Sequence, residues 1–180
     1  MRQLRGTDLK RLHRTWRRRT ERRLGLLLEN VQSPFNVGSI VRTAAALGVA
    51  DLYLAGSSAS PRNPKTQKTA LGTDRYLEWQ AFENLPEALA RAKQDGYLLV
   101  GLELADEAEP LSSIDLGQDV CVVVGNEDHG LSATALGACD AVTYIPQLGK
   151  VGSLNVATAT AIACYEVRRQ EWALPVPEEL

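Results

Sequence analysis

Five short, continuous apolar runs punctuate the chain: LGLLLE at 24–29, DLYLAG at 51–56, YLLVGLEL at 97–104, CVVVG at 121–125 and AVTYI at 141–145. None alternates apolar with polar residues, so none has the pattern of a strand with one wet face. Runs of this length without alternation are strands covered on both sides, and helical patterns or long connections separate them. NVGSIVRTAAALG, at 36–48, sets apolar residues at 37, 40, 41, 44, 45 and 47, the spacing of one helix face, with Asn36 as the expected N-cap and Gly48 as the stop. Residues 85–94 read as another helix, and the polar stretch 57–75 as a long exposed loop holding a short helix. The expected class is α/β, a mainly parallel sheet with helices on both faces. A length of 180 residues with 44% hydrophobic content suits one domain with a real core.

The net charge of −2 conceals a division. Residues 1–23 carry ten Lys/Arg against Asp8 and Glu21, whereas the rest of the chain carries ten against twenty acids. Such a concentration of cations is the electrostatic footprint of a polyanion-binding arm or helix, with Arg11, Arg14, Arg17, Arg18, Arg19, Arg22 and Arg23 as the expected RNA contacts. His13 and Trp16 share one helical face, and Trp16 is expected to pack on the body rather than stack on a base. Lys65, Lys68 and Arg75 either extend the basic surface or are simply solvated. Cys121, Cys139 and Cys164 are widely spaced among apolar residues, which suits buried thiols in a reducing compartment. No apolar run reaches the ~18 residues of a membrane span, and no secretory signal precedes the domain, so a soluble, cytoplasmic protein is expected.

Several chemistries are absent from the pattern. No GxGxxG or GxxxxGK[ST] loop follows a strand, no HExxH or paired-cysteine metal spacing occurs, and GxSxG is missing. No metal centre is expected. His129 is the sole histidine outside the arm, and together with Asp128 it reads as part of a turn with solvated charges. In an open parallel sheet, ligands sit at the carboxyl ends of strands. That rule gathers Asn30 and Asn36 after the first run, Gly125, Asn126 and Glu127 after CVVV, and the 146–155 loop after AVTYI. In that last loop, Ser153 either caps the following helix or faces a ligand at its N-terminus. Arg42 stands on an otherwise small and apolar helix, so its charge needs either an ion-pair partner or an opening.

Three segments carry a resemblance: VQSPFNVGSIVRTAAALGV, VVVGNEDHGLS and IPQLGKVGSLNVATATAIACYEVRRQ. In order and separation they resemble the three motifs of the SpoU/TrmH branch of the SPOUT RNA methyltransferases. The resemblance implies a C-terminal trefoil knot that holds S-adenosylmethionine, a topology no general folding rule would select. By this likeness the cofactor lies against Leu102, Gly125, Asn126, Glu127, Ile145, Leu148, Ser153, Leu154 and Asn155, largely through main chain. The implied reaction is methyl transfer to a ribose 2′-hydroxyl of RNA. Arg42 would take or weaken the hydroxyl proton, Asn36 would help position it, and Glu127, Ser153 and Asn155 would orient Arg42. An arginine is an unusual base given its very high pKa, so activation through an RNA phosphate or by hydrogen-bond polarisation is the physically safer form. The second motif reads GNE where many relatives have GSE, a change Asn126 tolerates because asparagine also caps a turn.

The same resemblance implies residues 1–23 as an RNA-binding segment, 24–172 as the catalytic domain and 173–180 as a short tail. It also implies a homodimer through the knot region, with the helix face at 156–167 as interface. The substrate favoured by arm placement is tRNA, at guanosine 18 of the D-loop. Ribosomal RNA methylation and a non-catalytic RNA-binding role are the alternatives.

Overall fold

The structure, a computed structural model, describes residues 3–173; all but the first residue of the expected 173–180 tail lie outside them. The apolar runs form the middle of a seven-stranded sheet. β1 (Leu24–Glu29), β2 (Asp51–Ala55), β3 (Glu78–Phe82), β4 (Leu98–Leu102), β5 (Glu109–Pro110), β6 (Val120–Val124) and β7 (Ala141–Tyr144) lie in the order β3-β2-β1-β6-β4-β7-β5. Every pairing is parallel. β1 and β6 pair at the centre and are buried at every position, which is why their sequences show no polar alternation.

Successive side chains point to opposite faces of a strand, and this sorts the core into two layers. Leu24, Leu26, Leu28, Val120, Val122 and Val124 pack beneath α2 (Pro34–Leu47) and α6 (Val156–Trp172). Leu27, Leu99, Cys121 and Val123 pack beneath α4 (Leu85–Gln94) and α5 (Ala133–Ala138). Each fully buried leucine or valine contributes on the order of 1.5–3 kcal/mol. The cysteines are all free; Cys121 and Cys164 are buried and Cys139 half-buried. Burial pushes the Cys164 thiol up to about 12, so it stays protonated and inert.

One reading needs correction. Ser33, not Asn36, caps α2: its Oγ accepts from the Asn36 N–H at 3.4 Å, Pro34 opens the helix, and Asn36 sits in the first turn. Gly48 does end α2, in the left-handed conformation. The segment 57–75 contains α3 (Pro64–Ala70) and most of a 3₁₀ turn at Thr73–Tyr76. β3 and α5 were not assigned from sequence, because β3 is an edge strand with only half-buried or exposed positions and α5 spans just six residues. Gly38 lets α3 press onto α2, since a Cβ there would lie 2.7 Å from the Thr66 carbonyl oxygen.

The C-terminal third does not follow sequence order. β7 inserts between β4 and β5, so the connection leaving β4 runs outside a strand that comes later in the chain. Thr143 donates to the Glu109 carbonyl, and Leu111 N–H donates to that of Tyr144. α6 then returns across β4 and β6 to α2. The side chain of Gln170 accepts from Leu116 N–H and donates to the Ile114 carbonyl, tying α6 to that outer connection.

At the far end of α6, Arg168 is the largest fully buried side chain. It donates to the carbonyls of Leu47, Gly48 and Arg22 and to Glu171, which in turn accepts from the N–H groups of Glu21 and Arg22. Every charge in this cluster is matched, so removing one partner strands the other. α1 (Gly6–Arg18) has no buried residue and reaches the body at Trp16, whose ring lies 4.9 Å from that of Trp172. Trp16 therefore packs on the body, as expected. Arg168→Ala is expected to cost about 3–5 kcal/mol, because it leaves Glu171 buried and unpaired; a urea unfolding midpoint close to the wild-type value would refute this account.

Candidate active site

The carboxyl ends of β4, β6 and β7 open into a cavity of about 380 Å³, within the ~300–1,000 Å³ range of small-molecule sites. One wall is Leu102 to Leu104, a second is the 124–130 turn, and the rest comes from Tyr144, Ile145, Gln147, the 152–154 loop, Val156 and Ala159. The turn after β6 is rigidly built. Asn126 Oδ1 accepts from the N–H groups of Asp128 and His129 at 2.9 and 3.2 Å, while Asn126 and Gly130 exchange main-chain hydrogen bonds. A Cβ on Gly125 would sit 2.1 Å from the Gly130 carbonyl carbon, so only glycine allows this fold-back.

Glu127, projecting from that turn, is the acceptor of a hydrogen-bond chain. Its carboxylate receives Gln32 N–H at 3.2 Å, Ser33 N–H at 3.0 Å and Asn36 Nδ2 at 3.0 Å. Asn36 Oδ1 accepts from Asn155 Nδ2, also at 3.0 Å, and Asn155 Oδ1 caps α6 through the N–H groups of Ala157 and Thr158. The direction of this chain is forced. Glu127 can only accept when ionised and Asn155 Oδ1 is engaged by the helix, so Asn36 must offer its amide to the first and its oxygen to the second. Burial alone would raise the Glu127 pKa, but the hydrogen bonds from Asn36 and from the main chain of Glu127, Ser33 and Gln32 outweigh it and hold the carboxyl below its ordinary range.

Leu102, Gly125, Asn126, Glu127, Ile145, Ser153 and Leu154 all line the cavity. Leu148 is fully exposed and outside it. Asn155 is likewise absent from the lining and serves instead as the N-cap of α6, the role the sequence offered to Ser153. The Arg42 side chain is exposed and makes no hydrogen bond or ion pair among the described residues. Of its two sequence alternatives, the structural ion pair is thus not formed.

The cavity also includes Glu103, Tyr144 and Gln147, which sequence reasoning did not single out. Glu103 stitches two walls together by accepting from Leu104 and Leu131 N–H. Gln147 Oε1 is buried without a hydrogen-bond partner, a state that ordinarily costs about 1–3 kcal/mol. A polar residue following Pro146 in an otherwise apolar approach was the available signal.

The arm divides into two groups. Arg11, Arg14, Arg17 and Arg18 are exposed on α1. Arg19 donates to the Trp172 carbonyl, and the Arg22 main chain is held by Glu171 and Arg168. Arg23 pairs with Asp119 at 2.8 Å and lies over the Tyr97 ring, so its side chain is committed to the fold. No cluster of His, Cys, Asp or Glu suited to a metal ion occurs among the described residues, and no helix there is long and apolar enough to cross a membrane.

The SpoU rRNA methylase family model matches residues 23–165. The chain belongs to this family. It is 35% identical over 146 residues to the 23S rRNA (guanosine-2′-O-)-methyltransferase of Acinetobacter baylyi, covering 81% of this chain and 59% of that protein. It is 31% identical over 147 residues to the tRNA (guanosine(18)-2′-O)-methyltransferase of Escherichia coli, covering 82% and 63%. Among solved structures, the SpoU methyltransferase AviRb from Streptomyces viridochromogenes in complex with the cofactor AdoMet superposes with a TM-score of 0.75 at 33% identity, covering 84% of this chain and 61% of that one. The chain thus spans about three fifths of the length of these relatives.

The depressed Glu127 pKa makes a pH prediction. With the folded value below the unfolded one near 4.3, the stabilisation is complete above the unfolded value and disappears as pH falls through the folded one. Glu127→Gln is expected to be less stable than wild type by roughly 1 kcal/mol at neutral pH, and the gap should narrow as pH falls below about 4.3, in urea titrations across that range.

Proposed function

We propose that this protein is an S-adenosylmethionine-dependent RNA ribose 2′-O-methyltransferase acting on tRNA. The observation that carries the reading is the junction of a ligand-sized cavity with the Glu127–Asn36–Asn155 chain, beside an arginine left without a partner on the same helix as Asn36. The cofactor fits the residues present. Leu102, Ile145, Leu154 and Val156 provide apolar surface for an adenine, and the unpartnered Gln147 Oε1 is an acceptor suited to an amino group. The passage of β7 and α6 inside the connection that follows β4 supports the trefoil knot implied by the resemblance.

When bound, S-adenosylmethionine supplies an electrophilic methyl group on a sulfonium sulfur. The chain's own task is then to bring up a ribose hydroxyl and ease its proton away. Arg42 suits this because its guanidinium is free to hold an RNA phosphate, whose oxygen can accept the proton as the hydroxyl oxygen takes the methyl group. The carboxylate of Glu127 holds Asn36, Asn36 holds Asn155, and this fixes the start of α2 relative to α6 and the Ser153 loop. The exposed arginines of α1 support RNA binding through the backbone, and the exposed Ile162 and Tyr165 on α6 support a homodimer there, which sedimentation velocity would detect.

Arg42→Ala is expected to lower transfer of labelled methyl groups from S-adenosylmethionine to unmodified bulk tRNA by at least about 100-fold, with cofactor affinity unchanged. Full activity in that variant would remove Arg42 from the mechanism. Mapping 2′-O-methylation in total RNA with and without the gene tests the substrate: a lost ribosomal mark in place of a tRNA mark would reassign it, and no lost mark would favour an RNA-binding role. Replacing Arg11, Arg14, Arg17 and Arg18 with alanine should reduce the slope of log affinity against log salt by up to about 3. An unaltered slope would exclude the arm from RNA contact.

A further inference from the structure

A second cavity, of about 290 Å³, lies on the other side of the 126–130 turn, lined by Glu29, Asn30, Gln32, Ser57 and Ser132 as well as by the turn itself. It shares Asn126, His129 and Gly130 with the first cavity. Glu29, the last residue of β1, is only 4% exposed. One of its carboxylate oxygens accepts from Ser132 N–H at 3.0 Å; the other accepts no hydrogen bond, and no lysine or arginine pairs with it among the described residues. That second oxygen is not sealed in the interior, so it is open to the cavity as an acceptor that the fold itself does not use. The residues lining the cavity carry polar side chains apart from Gly130, and the neighbouring Gln32 donates its main-chain N–H to Glu127 of the methyl-transfer site.

We propose that this cavity is a nucleobase subsite selective for guanine, with Glu29 as the specificity-determining residue; the proposal rests on the RNA methyltransferase reading above. Guanine alone among the four bases presents two adjacent donors, N1–H and N2–H₂, on its Watson–Crick edge. Adenine and cytosine pair one amino donor with an adjacent ring acceptor, which would face the carboxylate oxygen unfavourably. Bases unstacked from RNA are read through this edge. The shared 126–130 turn puts a base in the second cavity next to a ribose at the first, so one nucleotide can span both.

The test uses the full chain saturated with S-adenosylhomocysteine and the probes 5′-GMP, 5′-IMP, 5′-AMP and 5′-CMP, followed by saturation-transfer NMR. Wild type is expected to prefer GMP over each of the others by about tenfold or more, and Glu29→Gln to lose that preference. Glutamine keeps an oxygen for Ser132 N–H, so an unchanged melting temperature and S-adenosylhomocysteine affinity separate lost recognition from lost folding. Equal binding of all four nucleotides, no binding of any, or a GMP preference that survives in Glu29→Gln would overturn the proposal. In parallel, nucleosides from methylated bulk RNA are quantified. Methylation of adenosine or a pyrimidine would sink the guanine subsite while leaving the enzyme reading intact, whereas no methylation with GMP selectivity retained would do the reverse.

Discussion

The return of α6 onto α2 is the constraint on which the rest depends. α6 is fastened at both ends: Asn155 at its N-terminus holds Asn36 in the first turn of α2, and Arg168 near its C-terminus binds the carbonyls of Leu47 and Gly48 where α2 stops. Between these points Ala157, Thr160, Ala163, Cys164 and Val167 are buried, and the small side chains let the helix lie close to the sheet. Because β7 sits inside the earlier connection, this docking also fixes the loop between β7 and α6, and so one wall of the cavity.

The electrostatics of the site follow from that geometry. Glu127 is kept ionised by main-chain and amide donors instead of by a cation, so no buried ion pair competes for Arg42. Carboxylate and guanidinium are thereby separated: Glu127 orders the protein, and the Arg42 side chain stays exposed without a partner among the described residues. The same division appears in the arm, where Arg19 and Arg23 are consumed by the body and Arg11, Arg14, Arg17 and Arg18 remain outside it.

Much of the site was legible because its residues sit directly after apolar strands, and a parallel sheet gathers such loops at one end. Gly125, Asn126, Glu127, Ile145, Ser153 and Leu154 were reached in this way, aided by a family resemblance. Misassignments arose where two residues offered the same local chemistry. Ser33 and Asn36, or Ser153 and Asn155, are all competent caps, and the difference lies in which backbone N–H each can reach. Leu148, assigned by resemblance and through main chain, has a fully exposed side chain.

By itself the sequence determined the α/β class, the central buried strands, the placement of α2 and α4, and the concentration of cations at one end, since each is set by local periodicity or composition. Only the tertiary structure decided that β7 lies between β4 and β5, that Arg168 is the buried arginine while its neighbour Arg169 is exposed, and that Glu29 has a carboxylate oxygen left over. Those facts depend on which surfaces meet after distant segments pack. Hydrophobic periodicity records that a face is covered, and it carries no record of the partner that covers it.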